Sequence, residues 1–96
     1  MKPTLTEDIR KLLRAILSLE NEEECAAFFE DICTIKEIQD LSQRFAVAEM
    51  LNGGEKYQKI EELTGASTAT ISRVNKCLNY GSGGYRAVLD KMKDDA

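Results

Sequence analysis

A chain of 96 residues with 13 Lys and Arg, 17 Asp and Glu, three Cys, one Pro and no His or Trp has room for one small domain. The missing histidine excludes a Ser-His-Asp triad, a Cys-His pair and any His metal ligand. Net charge is −4 but unevenly held: residues 1–55 carry 6 basic against 12 acidic side chains, whereas residues 56–86 carry 5 against 2. An acidic body with one basic segment suits a protein that turns a single face toward a polyanion, although so weak a bias also fits an ordinary solvated surface.

Cys25, Cys33 and Cys77 are odd in number and at least eight residues apart, so neither a Cys-x-x-Cys pair nor a complete disulfide framework is available. They read as small buried hydrophobes in a reducing compartment. Glu7 and Asp8 interrupt the start where a signal peptide needs an apolar stretch, and no run approaches membrane-spanning length. The expectation is a soluble, cytoplasmic protein with no membrane partner.

Every segment reads as helix. Pro3 with Thr4 or Thr6 precedes Ile9, Leu12, Leu13, Ile16 and Leu17, which recur at spacings of 3–4 and form one apolar face. Asn21 with Glu24 is a capping-box pattern, followed by Cys25, Phe28, Phe29 and Ile32 on one stripe. Thr34 with Glu37 repeats the box and opens a longer helix bearing Ile38, Leu41, Phe45 and Ala48. Asn52-Gly53-Gly54 should end it, because glycine takes the left-handed cap conformation without a Cβ penalty. These helices carry more apolar stripe than about 50 residues can bury, so about half should pack within the chain and the rest against a second copy.

Residues 57–78, YQKIEELTGASTATISRVNKCL, carry the functional information. A short helix over 56–63 should turn Ile60 and Leu63 inward, and Gly65 should break it. Ser67 then caps a second helix by accepting from the N–H of Ala69 or Thr70. Ile71, Val74 and Leu78 pack inward, leaving Thr68, Ala69, Ser72, Arg73 and Lys76 outward or end-on. Two helices joined by a tight glycine turn, the second with a small polar N-terminal face, form a helix-turn-helix. Small residues allow close approach to the major groove, and Thr and Ser hydroxyls pair with base edges. Lys56, Lys59 and Lys76 supply phosphate contacts that position without specifying. Gly81-Ser82-Gly83-Gly84 lacks the following Lys-Ser/Thr of a phosphate loop and reads as a hinge or turn.

The stretch G-A-S-T-A-T-I-S-R-V-N-K-C-L, residues 65–78, resembles the helix-turn-helix of the Trp repressor family, and the likeness runs back through M-L-N-G-G. It covers about residues 40–93 and is closest to the Trp-repressor-like YerC/YecD branch of bacterial regulators. The resemblance implies an all-α, six-helix subunit in an intertwined homodimer. It implies one domain over 1–96, with dimerisation through about 4–53 and 85–93 and a helix-turn-helix over about 56–78. Two recognition helices would enter successive major grooves of double-stranded DNA roughly 34 Å apart.

Thr68, Ala69, Thr70 and Ser72 match the family's DNA-reading positions, with Tyr57 and Gln58 opening the preceding helix. Gln58 stands where better-known members carry a guanine-reading arginine, and glutamine suits adenine. In the family, two arginines sandwich a bound tryptophan. Arg73 matches the second of them, but Asn52 stands at the first and has no guanidinium face to stack on a ring. Ser42 falls near the hydroxyl that helps hold the ligand's amino group. Arg73 alternatively contacts phosphate, and the effector is tryptophan, another small molecule or none. No resident cofactor or metal is expected.

The leading expectation is a dimeric, sequence-specific transcriptional regulator, a repressor on a pseudo-palindromic operator. The competing one is a helical protein-interaction module that keeps the fold without binding DNA. An enzyme is not expected, since the acidic pair Glu61-Glu62 reads as a solvated helix face and no nucleophile has a base.

Overall fold

The computed structural model describes residues 5–94, and among them every regular element is helical. In chain order these are α1 (Glu7–Leu17), α2 (Glu22–Ile32), α3 (Ile35–Asn52), α4 (Tyr57–Thr64), α5 (Thr68–Tyr80) and α6 (Gly84–Asp94). The chain divides into two compact units, Met1–Gln39 and Asp40–Ala96, with the boundary inside α3. No helix among the described residues is long and apolar enough to cross a membrane.

In the first unit the helix starts are fixed by side-chain caps. Thr6 is extended (φ −73°, ψ 167°), and its Oγ1 accepts from the Ile9 N–H at 3.1 Å; Pro3 and Thr4 lie outside the described residues. Asn21 Oδ1 accepts from the Glu24 N–H at 2.8 Å, while the Glu24 carboxylate accepts from the Glu20 N–H at 3.3 Å. Thr34 and Glu37 form the reciprocal box, with Oγ1 accepting from the Glu37 N–H at 3.1 Å and Glu37 Oε1 from the Thr34 N–H at 2.8 Å. Each box satisfies donors that the first helical turn leaves without partners. The apolar stripes have no such satisfaction: neither α1 nor α2 buries a single residue. Phe28 and Phe29 meet edge to face at 5.7 Å between ring centroids and stay half-exposed.

The second unit holds the core. Val47 and Ala48 of α3, Ile60 of α4, and Ile71 and Val74 of α5 lose essentially all contact with solvent, joined by Ala66 in the turn. Removing one such aliphatic chain typically costs about 2–5 kcal/mol. Gly54 (φ 84°) ends α3 in a Schellman arrangement, with the Glu55 N–H on the Met50 carbonyl and the Gly54 N–H on the Leu51 carbonyl. Leu78 and Leu89 continue the buried set toward α6.

Two apolar expectations fail here. Leu63 does not turn inward with Ile60 but stays 60% exposed. Three residues rotate a helix through about 300°, and the next inward place is taken beyond the helix end by Ala66, which is buried. The cysteines are not buried either: Cys25 and Cys33 are half-buried, and Cys77 is exposed because it lies about 100° round α5 from buried Leu78.

The glycine-rich connection between α5 and α6 is a sterically restricted turn. Gly83 is left-handed (φ 84°), and a Cβ added to Gly81 would lie 2.3 Å from the Cys77 carbonyl oxygen. Gly81→Ala is therefore expected to lower stability by about 2 kcal/mol in urea denaturation. Gly84→Ala, whose Cβ would meet nothing within 4 Å, should shift it by less than about 0.5 kcal/mol.

Candidate nucleic-acid interface

The α4–turn–α5 segment is tied to α3 by a hydrogen bond at the turn. Gly65 takes φ 72° and its N–H closes on the Glu61 carbonyl at 2.9 Å, ending α4 in the left-handed region that favours glycine. Thr64 Oγ1 donates to the Ile60 carbonyl at 2.7 Å and accepts from the Ala66 N–H at 3.1 Å. Gln43 of α3 donates through Nε2 to the Thr64 carbonyl at 3.1 Å, satisfying a carbonyl that the end of α4 leaves open. Ser67 then starts α5, its Oγ accepting from the Thr70 N–H at 3.1 Å.

The proposed reading residues divide by exposure. Gln58 and Lys59 on α4, and Ser67, Thr68, Ala69, Ser72 and Lys76 on or before α5, are exposed. Tyr57 is half-buried, packed against the core cluster. Thr70 is half-buried too, hydrogen-bonded to Ser67 Oγ at 3.1 Å, and it faces a cleft between α3 and α5. That cleft, of about 190 Å³, is lined by Asp40, Gln43, Arg44, Thr70, Arg73 and Val74. Of the three residues expected at an effector site, only Arg73 lies there. Ser42 is exposed outside the lining, and Asn52 is engaged elsewhere.

Two residues are more important here than their sequence positions indicated. Arg86, at the start of α6, donates from Nη1 to Asn52 Oδ1 at 2.9 Å, from Nη2 to Asn79 Oδ1 at 2.9 Å and from Nε to the Leu78 carbonyl at 3.2 Å. One planar guanidinium thus ties the end of α3, the end of α5 and the start of α6 together. In the sequence it is one more basic side chain, since the acceptors lie 34, 8 and 7 residues away. Glu61 is likewise not on a solvated face: it is half-buried, and the Thr68 hydroxyl donates to its Oε1 across the glycine turn. Its neighbour Glu62 is exposed as expected.

Comparison with known proteins agrees with this architecture. The family model for the Trp repressor protein matches residues 7–93. Over 87 residues the chain is 56% identical to the uncharacterized protein YerC of Bacillus subtilis (strain 168), covering 91% of this chain and 84% of that one. The solved structure of a TrpR-like protein from Eubacterium eligens superposes with a TM-score of 0.90 at 55% identity, over 92% of this chain and 91% of the other.

The Arg86 clasp has a measurable weight. Arg86→Ala should lower unfolding free energy by about 1–2 kcal/mol. Arg86→Lys should recover less than half of that loss in the same urea titration, because an ammonium lacks the fork that reaches three acceptors.

Proposed function

The chain belongs to the Trp repressor family, and from that premise we propose that it is a dimeric, sequence-specific DNA-binding transcriptional regulator, acting as a repressor in the cytoplasm. The observation that carries the reading is the exposed, small-residue N-terminal face of α5, standing on a glycine turn whose geometry is fixed by buried Ile60, Ala66 and Ile71. Ala69 and Ser72 are bare enough to approach a major groove, and Lys56, Lys59 and Lys76 are exposed for phosphate.

Dimerisation is supported by the unburied stripes of the first unit. Leu12, Leu13, Ile16 and Leu17 of α1 are between 36% and 82% exposed, an apolar face that a second copy would cover. Two chains related by a two-fold axis present two copies of α5, which matches a pseudo-palindromic operator.

The proposal includes no resident cofactor. A small co-repressor finds complementary groups beside Arg73 in the cleft, where guanidinium, carboxylate, amide and hydroxyl groups converge. Asn52, whose Oδ1 accepts from Arg86, lies outside this cleft and takes no part in it.

The test is selection of genomic fragments by the full-length protein at low salt, with and without an amino-acid mixture. Enrichment of a palindrome whose affinity falls as salt rises supports the regulator. No binding at low salt moves the assignment to a protein-interaction module. Ala69→Asp is the matched variant. A carboxylate at the second position of α5 suits the helix dipole, so the fold should persist by circular dichroism. Affinity for the enriched fragment should fall by roughly 100-fold through like-charge juxtaposition.

A further inference from the structure

The pair formed by Glu61 and Thr68 sits inside the face assigned above to DNA, and the inference rests on that assignment. Thr68 is the first residue of α5 and Glu61 lies in the last turn of α4, so only the glycine turn brings them together. Thr68 is otherwise exposed, and Glu61 is half-buried. A threonine hydroxyl has one proton to donate, and here it goes to Glu61 Oε1. What remains available to an outside partner is the hydroxyl lone pairs and the second carboxylate oxygen, all acceptors.

We propose that Glu61, acting together with Thr68, is a specificity-determining residue that makes this end of the recognition helix an acceptor-only reader selecting an exocyclic amino group, cytosine N4 or adenine N6, in the major groove. Guanine and thymine present O6, N7 and O4 there, acceptors that meet a carboxylate with no donor between them. The pair therefore works by rejection as much as by attraction. The positive end of α5 is a favourable place for a carboxylate. The same charge opposes phosphate, so it lowers overall affinity while sharpening base choice.

The experiment is selection from a randomised duplex library by the full-length protein, comparing the parent with Glu61→Gln and Thr68→Val. The parent should enrich adenine or cytosine over guanine and thymine by roughly 10-fold at one position of each half-site. The cytosine-to-adenine ratio then identifies which amino group is read. Glu61→Gln, which matches the side chain in size but adds a donor, should erase that preference, leave other positions unchanged and bind all duplexes more tightly. Thr68→Val should erase it as well, with an unaltered circular dichroism spectrum. A parent that enriches a site whose preferences all survive Glu61→Gln overturns this inference alone. A parent that enriches no sequence overturns the DNA-reading function, and this inference with it.

Discussion

The buried contact among Val47, Ile60 and Ile71 is the constraint on which the second unit depends. Each comes from a different helix, α3, α4 and α5, and each is sealed from solvent. Once Ile60 and Ile71 share one core, the chain between them has ten residues to end a helix, reverse and begin another. A left-handed glycine and a serine cap are the economical solution, and Gly65 and Ser67 supply it. The outward face of α5 is then a consequence of what its inward face must do. Small side chains at Ala69 and Ser72 are tolerated because stability is carried on the opposite side.

The polar groups extend that constraint rather than create it. Gln43 reaches the Thr64 carbonyl only because Val47 and Ala48 of its own helix are pinned in the core. Arg86 performs the corresponding task at the far end, where Asn52 and Asn79 offer carbonyl oxygens side by side. These bonds run from a charged fork to neutral acceptors, so they hold geometry with less dependence on salt than an ion pair. The exposed Arg14–Glu7 pair at 3.6 Å, by contrast, adds little.

Local signals were legible in the sequence, and long-range ones were not. Caps at Asn21, Thr34 and Ser67 depend on a partner three residues on, so pattern alone located them, whereas it left the first cap between Thr4 and Thr6. The inward set Ile60, Ile71, Val74 and Leu78 followed from helical spacing. Leu63 and Cys77 did not, because a position at the edge of an apolar stripe is decided by where the neighbouring element stops. Val47, fully buried, lay off the stripe drawn through Phe45 and Ala48. Glu61 and Arg86 were missed for a stronger reason: their partners are defined by the path of the turns, which no periodicity reports. Of the effector trio, Arg73 lines the cleft, while Asn52 accepts from Arg86 of a third helix.

Charge and shape make opposite contributions at the candidate interface, and their balance bears on how such a protein would choose its site. Residues 56–86 carry only 5 basic side chains against 2 acidic, and one of the acidic pair, Glu61, stands at the head of α5. One of the basic residues, Arg86, is spent on the fold. Few cations are left for phosphate, so on the proposed reading few counterions would be released and sequence-independent affinity would be low. Discrimination in a genome depends on the ratio of specific to non-specific binding. A poorly basic face can therefore be selective where a strongly basic one would be held everywhere along the duplex. In the proposed dimer, two weak half-sites joined rigidly would gain affinity only where both are present at the right spacing.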